Sequence, residues 1–139
     1  MIGFRAVTWS LMQGISMFFS IKSVLSGPYF IVTANEDFDR KGAREIAIAV
    51  TKYCDEKNLK RVLFDFRRAK NVDSVSENFY FAHEDSKEIN IDKSMRSALL
   101  VHHMDRSHDF VETVLRNTGH NIRKFYDESK AIAWLNGPE

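Results

Sequence analysis

Two adjacent arginines, Arg67 and Arg68, and two adjacent histidines, His102 and His103, are the residues here best suited to grip an anion or move a proton. A pair of guanidiniums with an imidazole could hold a carboxylate or phosphate, and Arg67 is the better placed for a bidentate grip. Surface pairing of both arginines with Asp65, Glu84 or Asp127 is the simpler alternative. Five histidines, His83, His102, His103, His108 and His120, raise the question of a metal. Neighbouring residues of a strand point to opposite faces, so His102 and His103 cannot share one ion while a strand runs through them. His108 follows across a turn and could approach either. No H-x-x-x-H or H-E-x-x-H occurs and no cysteine partner is available, so neither a metal nor another cofactor is expected.

Nucleophiles fare no better. Cys54 lies on the apolar stripe of a long helix and reads as an inert core thiol. The triplet Ser107-His108-Asp109 is contiguous, and consecutive helix residues do not face one another. No G-x-S-x-G elbow exists. Asp65 alternates with Phe64 and Phe66, which places it on the Leu63 face in need of a partner such as Arg61, Arg96 or a backbone donor. The chain is therefore read as a non-enzyme.

The elements that position these residues follow from periodicity. Residues 15–34 read as a hairpin, with turn chemistry at Ser26-Gly27-Pro28. Asp37 or Asp39 can cap a helix running to Asn58, with Phe38, Ala43, Ile46, Ala47, Val50, Tyr53 and Cys54 on one stripe. Lys60 to Phe66 and Arg96 to His102 read as strands covered on both faces. Between them a helix over 75–87 would turn Val75, Phe79, Ala82 and Ser86 inward. Asp105 or Ser107 can cap a helix that Gly119 ends. Asn121 to Tyr126 is a short strand, and Asp127 caps a last helix closed by Gly137-Pro138. Strand and helix thus alternate after the hairpin, which predicts a mixed five-stranded α/β sheet with parallel crossovers. Ligands of such sheets collect beyond the carboxyl ends of the strands. That rim would carry Asn35 and Glu36, Arg67 and Arg68, His102 and His103, and Tyr126 with Asp127.

Composition narrows the function classes. The 139 residues suit one domain over 15–139 behind an extension over 1–14. Lys and Arg number 20 against 19 Asp and Glu, a net charge of +1, which favours neither nucleic acid nor an anionic membrane. The longest apolar runs, Ile46 to Val50 and Ala131 to Leu135, are far short of a bilayer span. Thr8, Ser10, Gln13 and Gly14 interrupt any signal-like segment, so a cytoplasmic location is expected. No G-x-G-x-x-G or P-loop is present. Aromatic surplus at Phe79-Tyr80-Phe81, together with Trp9, Phe4, Phe18 and Phe19, suggests a homodimer seam or a groove for an apolar ligand.

The element order, with the endings Val-Leu-Phe-Asp-Phe-Arg at 62–67 and Asp-Glu-Ser-Lys-Ala-Ile-Ala-Trp-Leu at 127–135, resembles the SpoIIAA-like, or STAS-like, superfamily, which also resembles the CRAL-TRIO lipid-binding fold. The resemblance covers residues 15–136. It implies a non-catalytic regulatory module that binds a protein partner or a second copy of itself. Family members of this kind are phosphorylated in an Asp-Ser-(Ser/Thr)-Gly motif. Asp73 and Ser74 match it, whereas Val75 and Glu77 depart from it and the glycine is missing, which leaves Ser74 as a weak phosphosite beside its reading as an N-cap. The CRAL-TRIO likeness implies the alternative, a carrier or sensor of a small apolar or lipid-like anion. Its head group would meet Arg67 and His102, and its tail would lie under residues 67–95.

Overall fold

A computed structural model describes residues 18–25 and 27–138. The extension over 1–14 and the first residues expected in the hairpin lie outside them. Strand β1 (Phe19–Ser23) pairs antiparallel with β2 (Phe30–Ala34). Helix α1 (Arg40–Lys57) then leads to β3 (Arg61–Asp65). Helix α2 begins in α geometry (Val75–Tyr80), passes through a π turn (Phe81–Asp85) and ends in α geometry (Ser86–Ile89). After it come β4 (Arg96–Leu100), α3 (Asp109–Asn117), β5 (Asn121–Phe125) and α4 (Glu128–Leu135). The strands lie in the order β1-β2-β3-β4-β5, with β2 to β5 parallel. The α/β class and the mixed five-stranded sheet are those the alternation predicts.

Strand pleating divides the core in two. Phe19, Ile21, Phe30, Val32, Val62 and Leu99 face α1, which contributes Ile46, Ala49, Val50 and Tyr53. The alternate residues Leu63, Ala98 and Leu100 face α4, which contributes Ala131 and Leu135. Because β3 and β4 are covered on both sides, their sequences are apolar at consecutive positions. Caps set the helix ends. Asp39 accepts from the Gly42 N–H at 3.1 Å to start α1, and Asn58 takes the left-handed conformation (φ 54°) to stop it. Gly119 (φ +101°) reverses the chain between α3 and β5. Asp127 accepts from the Ser129 and Lys130 N–H groups to start α4.

Three local expectations are corrected. β4 stops at Leu100, so His102 and His103 stand beyond the strand. Neither Asp105 nor Ser107 caps α3; His108 occupies the cap position without a side-chain cap, and Asp105 instead accepts from the Ser107 N–H at 2.8 Å to close the preceding turn. The inward face of α2 is Asn78, Phe81, Ala82, Asp85 and Ser86, while Val75 and Phe79 are exposed. Polar partners for Asn78 and Asp85 outweigh the apolar stripe that the spacing of Val75 and Phe79 suggested. Among the described residues, no helix is long and apolar enough to cross a membrane.

The face of β3 and β4 covered by α4 depends on few side chains, of which Leu135 is wholly buried. We expect Leu135→Ala to destabilise the protein by about 2–5 kcal/mol, read as a lowered midpoint of urea unfolding.

Candidate functional site

Helix α1 packs directly on the sheet, whereas α2 bridges from α1 to α3 and encloses a space beneath it. The resulting cavity of about 120 Å³ is walled by Phe38, Ala47 and Val50 beside α1, Phe64, Phe66 and Leu99 from the sheet side, Phe81 from α2, and Val111 and Leu115 from α3. Its lining is overwhelmingly apolar. An engineered apolar cavity of roughly 150 Å³ stays dry and admits benzene, which sets the scale of what could fit.

Charged groups hold α2 in place over this space. Asp85, 1% exposed, accepts from Arg40 Nε at 2.7 Å, from Arg40 Nη2 at 3.1 Å and from Arg44 Nη1 at 2.6 Å. Arg44 also donates to Glu88 at 2.7 Å, and Arg40 lies 4.1 Å from the centre of the Tyr80 ring. The Arg40 hydrogen bonds, helped by Arg44, hold the Asp85 carboxyl below the usual range against the opposing effect of burial. Asp85 sits at the end of the π turn, where Phe81 O accepts from the Ser86 N–H.

One end of the cavity is closed by a polar lock. Asn71 donates to Asn78 Oδ1 at 2.6 Å, and Asn78 donates to the Ser74 carbonyl at 3.1 Å. His108, 2% exposed, packs against Phe38 and Phe66 and donates from Nε2 to the Ala69 carbonyl at 2.8 Å. Burial depresses its pKa despite the Ala69 carbonyl and the Asp105 carboxylate at 3.5 Å, so the ring is neutral at neutral pH. His120, at the other end, is lowered by burial and by Lys93.

The residues singled out from sequence stand elsewhere. Arg67 is held by Asp65 at 2.8 Å and by Glu128 at 3.4 Å, on the α4 face of the sheet. Burial alone would raise the Asp65 carboxyl, but the Arg67 side-chain and backbone hydrogen bonds bring it below its ordinary value. Asp65 thus takes both a backbone donor and the Arg67 side chain, the surface pairing that the sequence offered as the simpler alternative. Arg68 makes no ion pair among the described residues. The His102 and His103 rings stack with centroids 4.5 Å apart, an arrangement open to them because they lie past the strand. His102 Nδ1 accepts from the Met104 N–H at 3.1 Å. Tyr126 accepts from Arg106 at 3.2 Å, and the Asn35 N–H donates to the Phe18 carbonyl at 2.8 Å. None of Asn35, Arg67, Arg68, His102, His103 and Tyr126 lines the cavity. Ser74 is the N-cap of α2, accepting from the Glu77 N–H at 3.2 Å. The Cys54 thiol, beside Met95, is pushed up to about 11, chiefly by burial.

No family model, curated protein or solved structure matches the chain. Function must be judged from this geometry. Among the described residues, no three His, Cys, Asp or Glu side chains gather closely enough to hold a metal ion. The cavity lining was legible only in part: Phe38, Ile46, Ala47 and Val50 stood on the helical stripe, but nothing local marked Phe81, Met95, Ser97 or Ile122 as its companions.

Histidines kept neutral by burial make stability depend on acidity. Both His108 and His120 fall below the ordinary value of 6.5 when folded, so the unfolded chain binds protons first as pH drops. Their contribution is complete above 6.5 and is lost as pH falls through the lower folded values. Urea midpoints measured from about pH 8 to about pH 5 should decline, and His108→Gln, whose amide can still donate to Ala69, should flatten that decline in part.

Proposed function

We propose that the chain is a non-catalytic binding module that takes a small apolar molecule into the cavity beneath α2. The observation that carries this reading is the cavity itself: a largely apolar space under a helix pinned by the ion cluster around the buried Asp85. The tail position implied by the CRAL-TRIO likeness, under residues 67–95, falls on the same space. The cationic head-group partners, Arg67 and His102, do not border it, so we narrow the alternative from a lipid-like anion to a ligand with an apolar body. We place this activity in the cytoplasm, where the single thiol would stay reduced.

Toluene is the first probe. Thermal unfolding in its presence should shift upward, reaching about 2.7 kcal/mol of added stability at a hundred times the dissociation constant. Ala47→Leu, which places a larger side chain in the cavity wall, should abolish the shift while the protein stays folded. An unshifted wild-type melting curve at saturating toluene would overturn the reading.

A second reading is favoured by the exposed row Val72, Val75 and Phe79, which are 60%, 64% and 49% accessible. This face at the start of α2 would join two copies of the chain, as the STAS-like resemblance implies. Light scattering should then show a concentration-dependent dimer that Phe79→Glu dissolves. A strictly monomeric wild type at all concentrations removes this reading and leaves the cavity reading untouched.

A further inference from the structure

Ser97 interrupts the apolar floor of the cavity. It pairs in register with Val62 on β3 and Ile122 on β5, and Leu99 follows it on the same face. It is 6% exposed and lines the cavity. Its hydroxyl makes no hydrogen bond among the described residues. A hydroxyl that lines the cavity without a protein partner can both donate to and accept from a molecule held there. Two more polar side chains stand on the same stretch of wall. His120 precedes Ile122 by two residues, a diagonal neighbour of Ser97 across the strand pair, and Thr51 reaches the wall from α1. Neither makes a side-chain hydrogen bond among the described residues.

The charged residues on the wall are already engaged. Asp92 accepts from Ser94 at 2.7 Å and pairs with Lys60 at 3.5 Å, while Arg40 is held by Asp85. An ionised group inside would thus lack a counter-charge, which low-polarity surroundings penalise heavily. An uncharged donor or acceptor faces no such penalty.

Resting on the cavity reading above, we infer that the ligand is a small apolar molecule with one uncharged hydroxyl, of the phenol class, whose hydroxyl pairs with Ser97. Its body would lie beneath α2 against Phe66, Phe81 and Leu99. His120, neutral and able to donate or accept, lines the same cavity and would offer a second hydrogen-bonding group.

The test compares p-cresol with toluene, which differ by that hydroxyl, by calorimetric titration of the wild type and Ser97→Ala. The wild type should bind p-cresol about three- to tenfold more tightly than toluene, the range expected of one hydrogen bond. Ser97→Ala should lose that preference through weaker p-cresol binding, with toluene affinity unchanged. Its melting temperature, expected to stay within a few degrees of that of the wild type because no hydrogen bond among the described residues is removed, verifies that the variant is folded. Equal affinities for the two compounds in the wild type, or a preference that survives in Ser97→Ala, would overturn the inference and leave the cavity reading standing. Failure of both compounds to bind would overturn the cavity reading and this inference together.

Discussion

The carboxylate of Asp85, buried between Arg40 and Arg44, is the interaction on which the rest of the structure turns. A charge so enclosed is tolerable only because three guanidinium hydrogen bonds surround it. Those bonds join α2 to α1 along their facing sides, and they are directional where apolar contact is not. Apolar packing alone would let α2 settle onto the sheet and close the space beneath it. Tethered through its π turn, α2 instead bridges above β4 and leaves a cavity.

Around that cavity the molecule divides its polar groups by role. Asn71, Asn78 and His108 satisfy one another or backbone carbonyls at one end. At the other end Thr51, Ser97 and His120 present hydrogen-bonding capacity that the described residues leave unused. Such a division, an apolar body with few polar groups at one place, is the usual make-up of a small-molecule site. On the rim beyond the strand ends, by contrast, Arg67 pairs with Asp65 and Tyr126 with Arg106.

Much of the fold could be read along the chain. The α1 stripe, the caps at Asp39 and Asp127, the stop at Asn58 and the reversal at Gly119 are local signals, because each depends on neighbours within a few residues. The face of α2 was misread for the opposite reason. Val75 and Phe79 have the spacing of a buried stripe, yet Asn78 and Asp85 are the ones drawn inward, by Asn71 before the helix and by Arg40 and Arg44 from a distant one. The site was less legible than the fold. Arg67 and His102 carry obvious chemistry in their side chains, whereas a void has no residue type of its own.

By itself the sequence determined the order of strands and helices, the parallel crossovers and the absence of a recognised catalytic motif, since periodicity and capping act over short spans. Only the tertiary structure decided which residues share a space: Ser97 on β4, Phe81 on α2, Ala47 on α1 and His120 before β5 are far apart along the chain and meet around one cavity. The physical reason is that enclosure is a property of several elements at once. It depends on how high one helix is held above a sheet, and that height is set here by a salt bridge between residues some forty positions apart.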